Sequence, residues 1–127
     1  MTELTFSVQH ANLLTANRDL HWAPRAEIIR TLRTTGELAA RNAHIPALGR
    51  AHLTVHITWP DLRRRDRANI SPTIKALIDG IVDAGCLCDD DDDHLSGPDL
   101  RVTTETSGTK GVTGLRFVFS EYVEKVA

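Results

Sequence analysis

Sulfur and aromatic groups are scarce in this chain. Its 127 residues hold two cysteines, one methionine, one tyrosine, three phenylalanines and two tryptophans. Cys86 and Cys88 stand two apart, so they are poorly placed to bridge, and one pair makes no disulfide framework. Cys86-x-Cys88 also lacks the partners a zinc site needs. A reducing cytoplasm is the expected compartment. No apolar run approaches the ~20 residues of a membrane helix, so no membrane partner is expected. Met1-Thr2-Glu3-Leu4-Thr5 is not a basic start followed by an apolar run, which argues against a secretory signal. A phosphate-cradling glycine loop and internal repeats are missing too.

What is present suits one soluble globular domain spanning residues 1–127. Hydrophobic residues make up 41% and charged residues 25%, unlike a disordered chain. The formal net charge of −2 hides an asymmetry. Residues 1–78 carry 11 Lys+Arg against 6 Asp+Glu, and residues 79–127 carry 4 against 11, giving +5 and −7. A basic half beside an acidic half suggests a polyanion partner with an acidic site next to it.

Alternation in Leu4-Thr5-Phe6-Ser7-Val8 predicts a first strand. Residues 9–23 read as a loop, and Pro24 sits where a first helical residue would stand. Arg25 to Arg41 then predicts a helix, weakened by Gly36 by about 1 kcal/mol relative to Ala. Ala51 to Trp59 is the clearest strand: Leu53, Val55, Ile57 and Trp59 share one face, His52, Thr54, His56 and Thr58 the other. His52 and His56 are separated by roughly 13 Å along a strand, too far to share an ion. Pro60 ends the strand. Ser71, as N-cap, and Pro72 open a second helix, whose apolar stripe is Ile74, Leu77, Ile78, Ile81 and Val82; Gly85 stops it. Gly97-Pro98 predicts a turn, and strands follow at Leu100–Thr103 and Leu115–Phe119, joined by a glycine-rich connection. The expected order is strand, helix, strand, helix, strand, strand: a small single α/β domain with a mixed sheet and two main helices.

The second helix is bracketed by two charged loops. Before it runs Pro60-Asp61-Leu62-Arg63-Arg64-Arg65-Asp66-Arg67-Ala68-Asn69, and after it Asp89-Asp90-Asp91-Asp92-Asp93. Arginines can hold phosphates. Asp66, Asn69, Asp79 and the aspartate run offer oxygen ligands for Mg²⁺, which could neutralise phosphoryl oxygens and activate a water. Lys75 could stabilise charge developing in a transition state. Taken singly each signal is bland: an Arg triplet usually solvates a loop, and five aspartates usually form a solvated tract.

The ordered run of the residue 60–69 loop, Lys75, Asp79, Ala84-Gly85 and Asp89-Asp90 resembles the RusA family of Holliday-junction resolvases, small phage and prophage endonucleases. The resemblance covers roughly 40 central residues, with looser agreement at Asn17-Arg18. It implies a RusA-like fold in a homodimer that resolves four-way branched DNA by paired symmetric nicks in recombination and repair, using Mg²⁺ (or Mn²⁺) in the cytoplasm of a bacterial host. By position it implies Asp66, Lys75 and Asp90 as catalytic. Asp66, Asp90, Asp79 and Asp89 become the metal ligands, and Arg63, Arg64, Arg65, Arg67, Asn69, Asn17 and Arg18 the DNA contacts. One departure stands out: the family's Asp-x-Asp-Asn is here Asp66-Arg67-Ala68-Asn69. A methyl group binds no metal. Either Asp79, Asp89 or Asp91 takes over, or the chain is a branched-DNA-binding protein with weak or no nuclease activity.

Overall fold

The structure, a computed structural model, describes residues 2–16 and 21–126. Four strands, β1 (Thr2–Gln9), β2 (Ala51–Thr58), β3 (Leu95–Val102) and β4 (Val112–Ser120), alternate with helices α1 (Trp22–Asn42) and α2 (Ser71–Asp83) in the expected order. The sheet runs β1-β4-β2-β3. β1 pairs antiparallel with β4 and β4 with β2, while β2 and β3 are parallel, joined through α2. The sheet is therefore mixed, as the sequence order predicts.

Period-two burial makes the sheet one-sided. Leu4, Phe6 and Val8 of β1, Leu53, Val55 and Ile57 of β2, and Leu115, Phe117 and Phe119 of β4 enter one core with Ile74, Leu77, Ile78 and Ile81 of α2. Phe6 and Phe117 meet edge to face at 5.2 Å. Of the helices, α2 is the buried one. It carries the parallel crossover from β2 to β3, so both of its ends are committed to the loops that precede and follow it.

Gly36, which weakens the helix by propensity, is explained by packing. A Cβ there would lie 2.4 Å from the carbonyl oxygen of Leu77 on α2. Reciprocally, a Cβ on Gly80 would lie 2.0 Å from the carbonyl oxygen of Arg33 on α1. Backbone approaches backbone at this crossing, where only hydrogen fits. Leu32, Gly36 and Ala40, spaced by four, are the buried face of α1. A paired ion contact closes the same seam: Arg33 donates to both carboxylate oxygens of Asp83, at 2.5 and 2.8 Å.

Several boundaries differ from the sequence reading. α1 begins at Trp22, so Pro24 is its third residue; the first turn has no intrahelical acceptor for an N–H, and proline is tolerated there. Ile70, not Ser71, is the N-cap of α2, because a 3-10 turn over Arg67–Ile70 runs directly into the helix and Ser71 Oγ donates back to the Ala68 carbonyl at 2.7 Å. Gly97-Pro98 is not a turn between elements. It lies inside β3, where pairing shifts from His52↔Ser96 to Thr54↔Asp99 and one residue bulges. Gly97 has φ 91° and sits where a Cβ would be 2.5 Å from the Leu53 carbonyl oxygen. On an edge strand the missing proline N–H costs no ladder bond. Among the described residues no helix is long and apolar enough to cross a membrane.

The glycine crossing makes a direct prediction. Gly80→Ala gains about 1 kcal/mol of helix propensity but forces α1 and α2 apart, and overpacking of this kind costs more. We expect a net loss of about 2 kcal/mol in urea unfolding. Unchanged or increased stability would show that the helices do not cross this closely in solution.

Candidate nucleic-acid and catalytic site

The basic loop is not a uniform cluster of cations. Asp61 Oδ1 accepts from the Arg63 backbone N–H at 2.9 Å, an Asx turn, and from Arg65 Nη1 at 2.7 Å. The guanidinium of Arg65 beside it, together with the Arg63 N–H, holds the Asp61 carboxyl down at about 2. Arg65 also lies over the Trp59 ring, 5.2 Å from its centroid. It is thus largely sequestered, whereas Arg64 and Arg67 are exposed and make no ion pair or hydrogen bond among the described residues. Arg63 is exposed, with its guanidinium 3.7 Å from Asp61. Of the expected DNA contacts, then, Arg63, Arg64 and Arg67 are presented outward and Arg65 braces the loop.

Asp66 is exposed. Its Oδ1 accepts from the Ala68 N–H at 3.0 Å, capping the 3-10 turn. Residues 67–70 are therefore coiled, not extended, and position 68 does not lie beside Asp66 as in a strand. The Asn69 carbonyl accepts from the Ala16 N–H at 2.8 Å. Nearby, the buried Thr73 hydroxyl donates to the Leu14 carbonyl and accepts from the Leu14 N–H, both at 2.8 Å, tying the segment after β1 to the start of α2. Asn17 and Arg18, also expected to touch DNA, lie outside the described residues.

At the other end, Lys75 Nζ donates to Asp79 at 2.6 Å and, more closely, to Asp90. The spacing of four between Lys75 and Asp79 is one helical turn. Asp90 arrives from the loop beyond α2. Both carboxylates are about a quarter exposed, at 27% and 25%. The hydrogen bond from Lys75 holds the Asp90 carboxyl below the usual carboxylate range, against the opposing effect of partial burial. Partial burial alone would push the Lys75 ammonium down; its hydrogen bonds and charge contacts with Asp79 and Asp90 outweigh that, and its pKa is raised.

The aspartate run is an organised turn rather than a solvated tract. Asp89 Oδ1 accepts from the Asp90 N–H at 2.7 Å. Asp91 Oδ1 accepts from the His94 N–H at 3.1 Å and contacts His94 Nδ1 at 2.6 Å, and Asp93 pairs with Lys125 at 2.7 Å. The Tyr122 hydroxyl donates to the Asp92 carbonyl. The Asp89, Asp91 and Asp93 carboxylates have partners of their own, and of the run Asp90 is the one bonded to Lys75 among the described residues.

These contacts divide the expected site in two. Lys75, Asp79 and Asp90 are joined, and Asp89 is tied to them through the Asp90 N–H, but among the described residues no hydrogen bond or ion pair links this group to Asp66. Asp66 and Asn69 instead line a cavity of about 690 Å³ with the arginine triplet and Trp59. No three His, Cys, Asp or Glu side chains among the described residues converge in a way that could hold a metal ion. The Mg²⁺ ligands that the resemblance implies, Asp66, Asp79, Asp89 and Asp90, are thus not gathered into one such cluster among the described residues. An ammonium stands between Asp79 and Asp90, and Asp66 gives one carboxylate oxygen, Oδ1, to the Ala68 N–H. Asp89 and Asp91, offered as substitutes for the acid missing at Ala68, are occupied within their own turn.

Several site residues escape sequence reasoning. Trp59 reads as a strand's last apolar residue, although its position before Pro60 puts it under the basic loop. Lys110, in the β3–β4 connection, reaches the cavity through tertiary structure alone. His52, expected on a polar face, is held by Ser96 Oγ at 2.7 Å and Asp99 at 3.0 Å across the bulge in β3. Ser96 also accepts from the Val123 N–H at 3.0 Å, so these groups fasten the edge strand and the chain end together. Compared with known proteins, the chain matches no family model and no curated protein.

The Lys75 contacts are testable in solution. Asp90's depressed pKa means that its contribution to stability is present above the ordinary carboxylate value of 3.8 and is lost as pH falls through the depressed value. Lys75→Met should raise the Asp90 pKa, read from carboxyl carbon NMR shifts, and flatten the acid limb of the stability curve. An unchanged Asp90 titration would refute the contact.

Proposed function

We propose that the protein is an endodeoxyribonuclease of the RusA type that acts on four-way branched DNA. The observation that carries this reading is the meeting of Lys75 and Asp90, 15 residues apart, next in the chain to a loop with outward-facing arginines. Arg63, Arg64 and Arg67 would hold backbone phosphates, giving affinity without sequence preference. Lys75, positioned by Asp79 and Asp90, would present an ammonium to the charge that develops on a phosphoryl oxygen or leaving group. Asp66, exposed at the cavity rim, is the carboxylate available to orient an attacking water. The metal requirement comes from the resemblance alone, and an EDTA arm tests it separately. Paired nicks across a junction are most simply made by two sites on a two-fold axis, so the acting species would be a homodimer in the cytoplasm of a bacterial host of phage or prophage.

A second reading is favoured by Ala68 and by the lack, among the described residues, of any hydrogen bond or ion pair between Asp66 and Lys75 or Asp90. On that reading the protein binds branched DNA and cuts it weakly or not at all.

Incubation with a synthetic four-way junction and a matched linear duplex, with Mg²⁺, Mn²⁺ or EDTA, decides between them. We expect symmetric nicks in the junction only, lost by about 100-fold or more in Asp90→Asn with junction affinity kept. Salt-sensitive junction binding with no cleavage under any ion would replace the nuclease reading with the second. Within either reading the arginines are separable. Alanine at Arg63 and Arg64 should lower the slope of log affinity against log salt by up to about 0.9 per lost phosphate contact. The same change at Arg65 should instead loosen the loop, detected as a change in Trp59 fluorescence.

A further inference from the structure

The 690 Å³ cavity lies at the end of the sheet where β2 leaves and β4 enters, and its size is that of a small-ligand site. Its floor is apolar, from Leu13, Trp59, Pro60 and Ile70. Its rim is cationic. Arg63 and Arg64 come from the loop after β2, and Lys110 comes from the connection before β4. Arg64 and Lys110 are exposed and have no carboxylate partner among the described residues. The two carboxylates in the wall offset only part of this charge: Asp61 is paired with Arg65 and Arg63, and Asp66, bonded only to the neutral Ala68 N–H, leaves four cations against two carboxylates in the lining. A cavity with an apolar floor and uncompensated cations at its rim selects an anion with a flat apolar part. Arg65, spread over Trp59, adds a planar guanidinium on which a base could stack. Asn69 and Thr15 supply donors and acceptors for a base edge.

From this we infer that the cavity binds one nucleoside 5′-phosphate unit, with the phosphate at Arg64 and Lys110 and the base over the apolar floor. Paired, stacked bases cannot enter a concave site, so the unit is an unpaired nucleotide of a DNA strand or a free nucleotide. The inference deepens the branched-DNA reading, in which a pair opened at the crossover or a frayed strand end would supply the unpaired nucleotide, but its chemistry stands on the cavity.

Calorimetry on the full chain in EDTA tests it, with dTMP, thymidine, inorganic phosphate and a thymidine tetranucleotide as probes. We expect dTMP or the tetranucleotide to bind at least about tenfold more tightly than thymidine or phosphate. The double variant Arg64→Ala, Lys110→Ala should weaken that binding by about tenfold or more, and Lys125→Ala, in the segment after β4 and paired with Asp93, should not. Both changed residues are exposed, and circular dichroism checks that the fold is kept. Tighter binding of the tetranucleotide assigns the ligand to a strand; tighter or equal binding of dTMP assigns it to the free nucleotide. No binding by either at millimolar concentration, thymidine or phosphate binding as well as dTMP, or an affinity untouched by the double variant overturns the inference. Because EDTA removes metal-dependent cleavage from the measurement, nucleotide binding without junction cleavage sinks the nuclease reading alone, and the reverse result sinks this one alone.

Discussion

The close crossing of α1 and α2 is the constraint on which the rest depends. Gly36 and Gly80 each leave room for the other helix's backbone, and a single methyl at either would collide with a carbonyl oxygen. With α1 pressed this close, α2 is held between its neighbour and the sheet, and its apolar side chains fill the core. A buried helix cannot slide or rotate without opening that core, because interiors are packed at crystal-like density. Its two ends are therefore fixed points, and the two charged loops hang from them.

Those fixed ends explain the site. The basic loop enters α2 through a 3-10 turn capped by Asp66, and the Leu14 segment is bonded to Thr73 one turn further on. Lys75 lies next along the helix, and its ammonium collects Asp79 from the same helix and Asp90 from the following turn. The surface pairs are individually worth little in water. Their consequence is positional: one lysine is held with two carboxylates, and the neighbouring arginines are left free for an outside anion.

Much of this was legible in the chain. The apolar alternation of residues 51–59 and the helical stripe of Ile74, Leu77, Ile78 and Ile81 are strong periodic signals, and both elements stand where they were expected. Lys75 and Asp79 could be paired from their spacing alone. By contrast, the aspartate run looked like a solvated tract because identical residues carry no information about which neighbour each will meet. Gly36 looked like a defect in a helix, since propensity measures the isolated helix and not the approach of a second backbone. Gly97-Pro98 looked like a turn because both residues favour turns, and an edge strand that bulges uses the same two properties.

By itself the sequence determined the period of each element, the α/β order, the separation of positive from negative charge, and which side chains could bond across one helical turn. Those are local properties, decided by backbone geometry and spacing. Only tertiary structure decided that Asp90, rather than another of five identical aspartates, meets Lys75. It also decided that Arg65 is spent on Asp61 and Trp59 while Arg64 is free, and that Lys110 joins Arg64 at one cavity. Such pairings depend on where distant loops are carried by the sheet and the buried helix, and no local spacing encodes that distance.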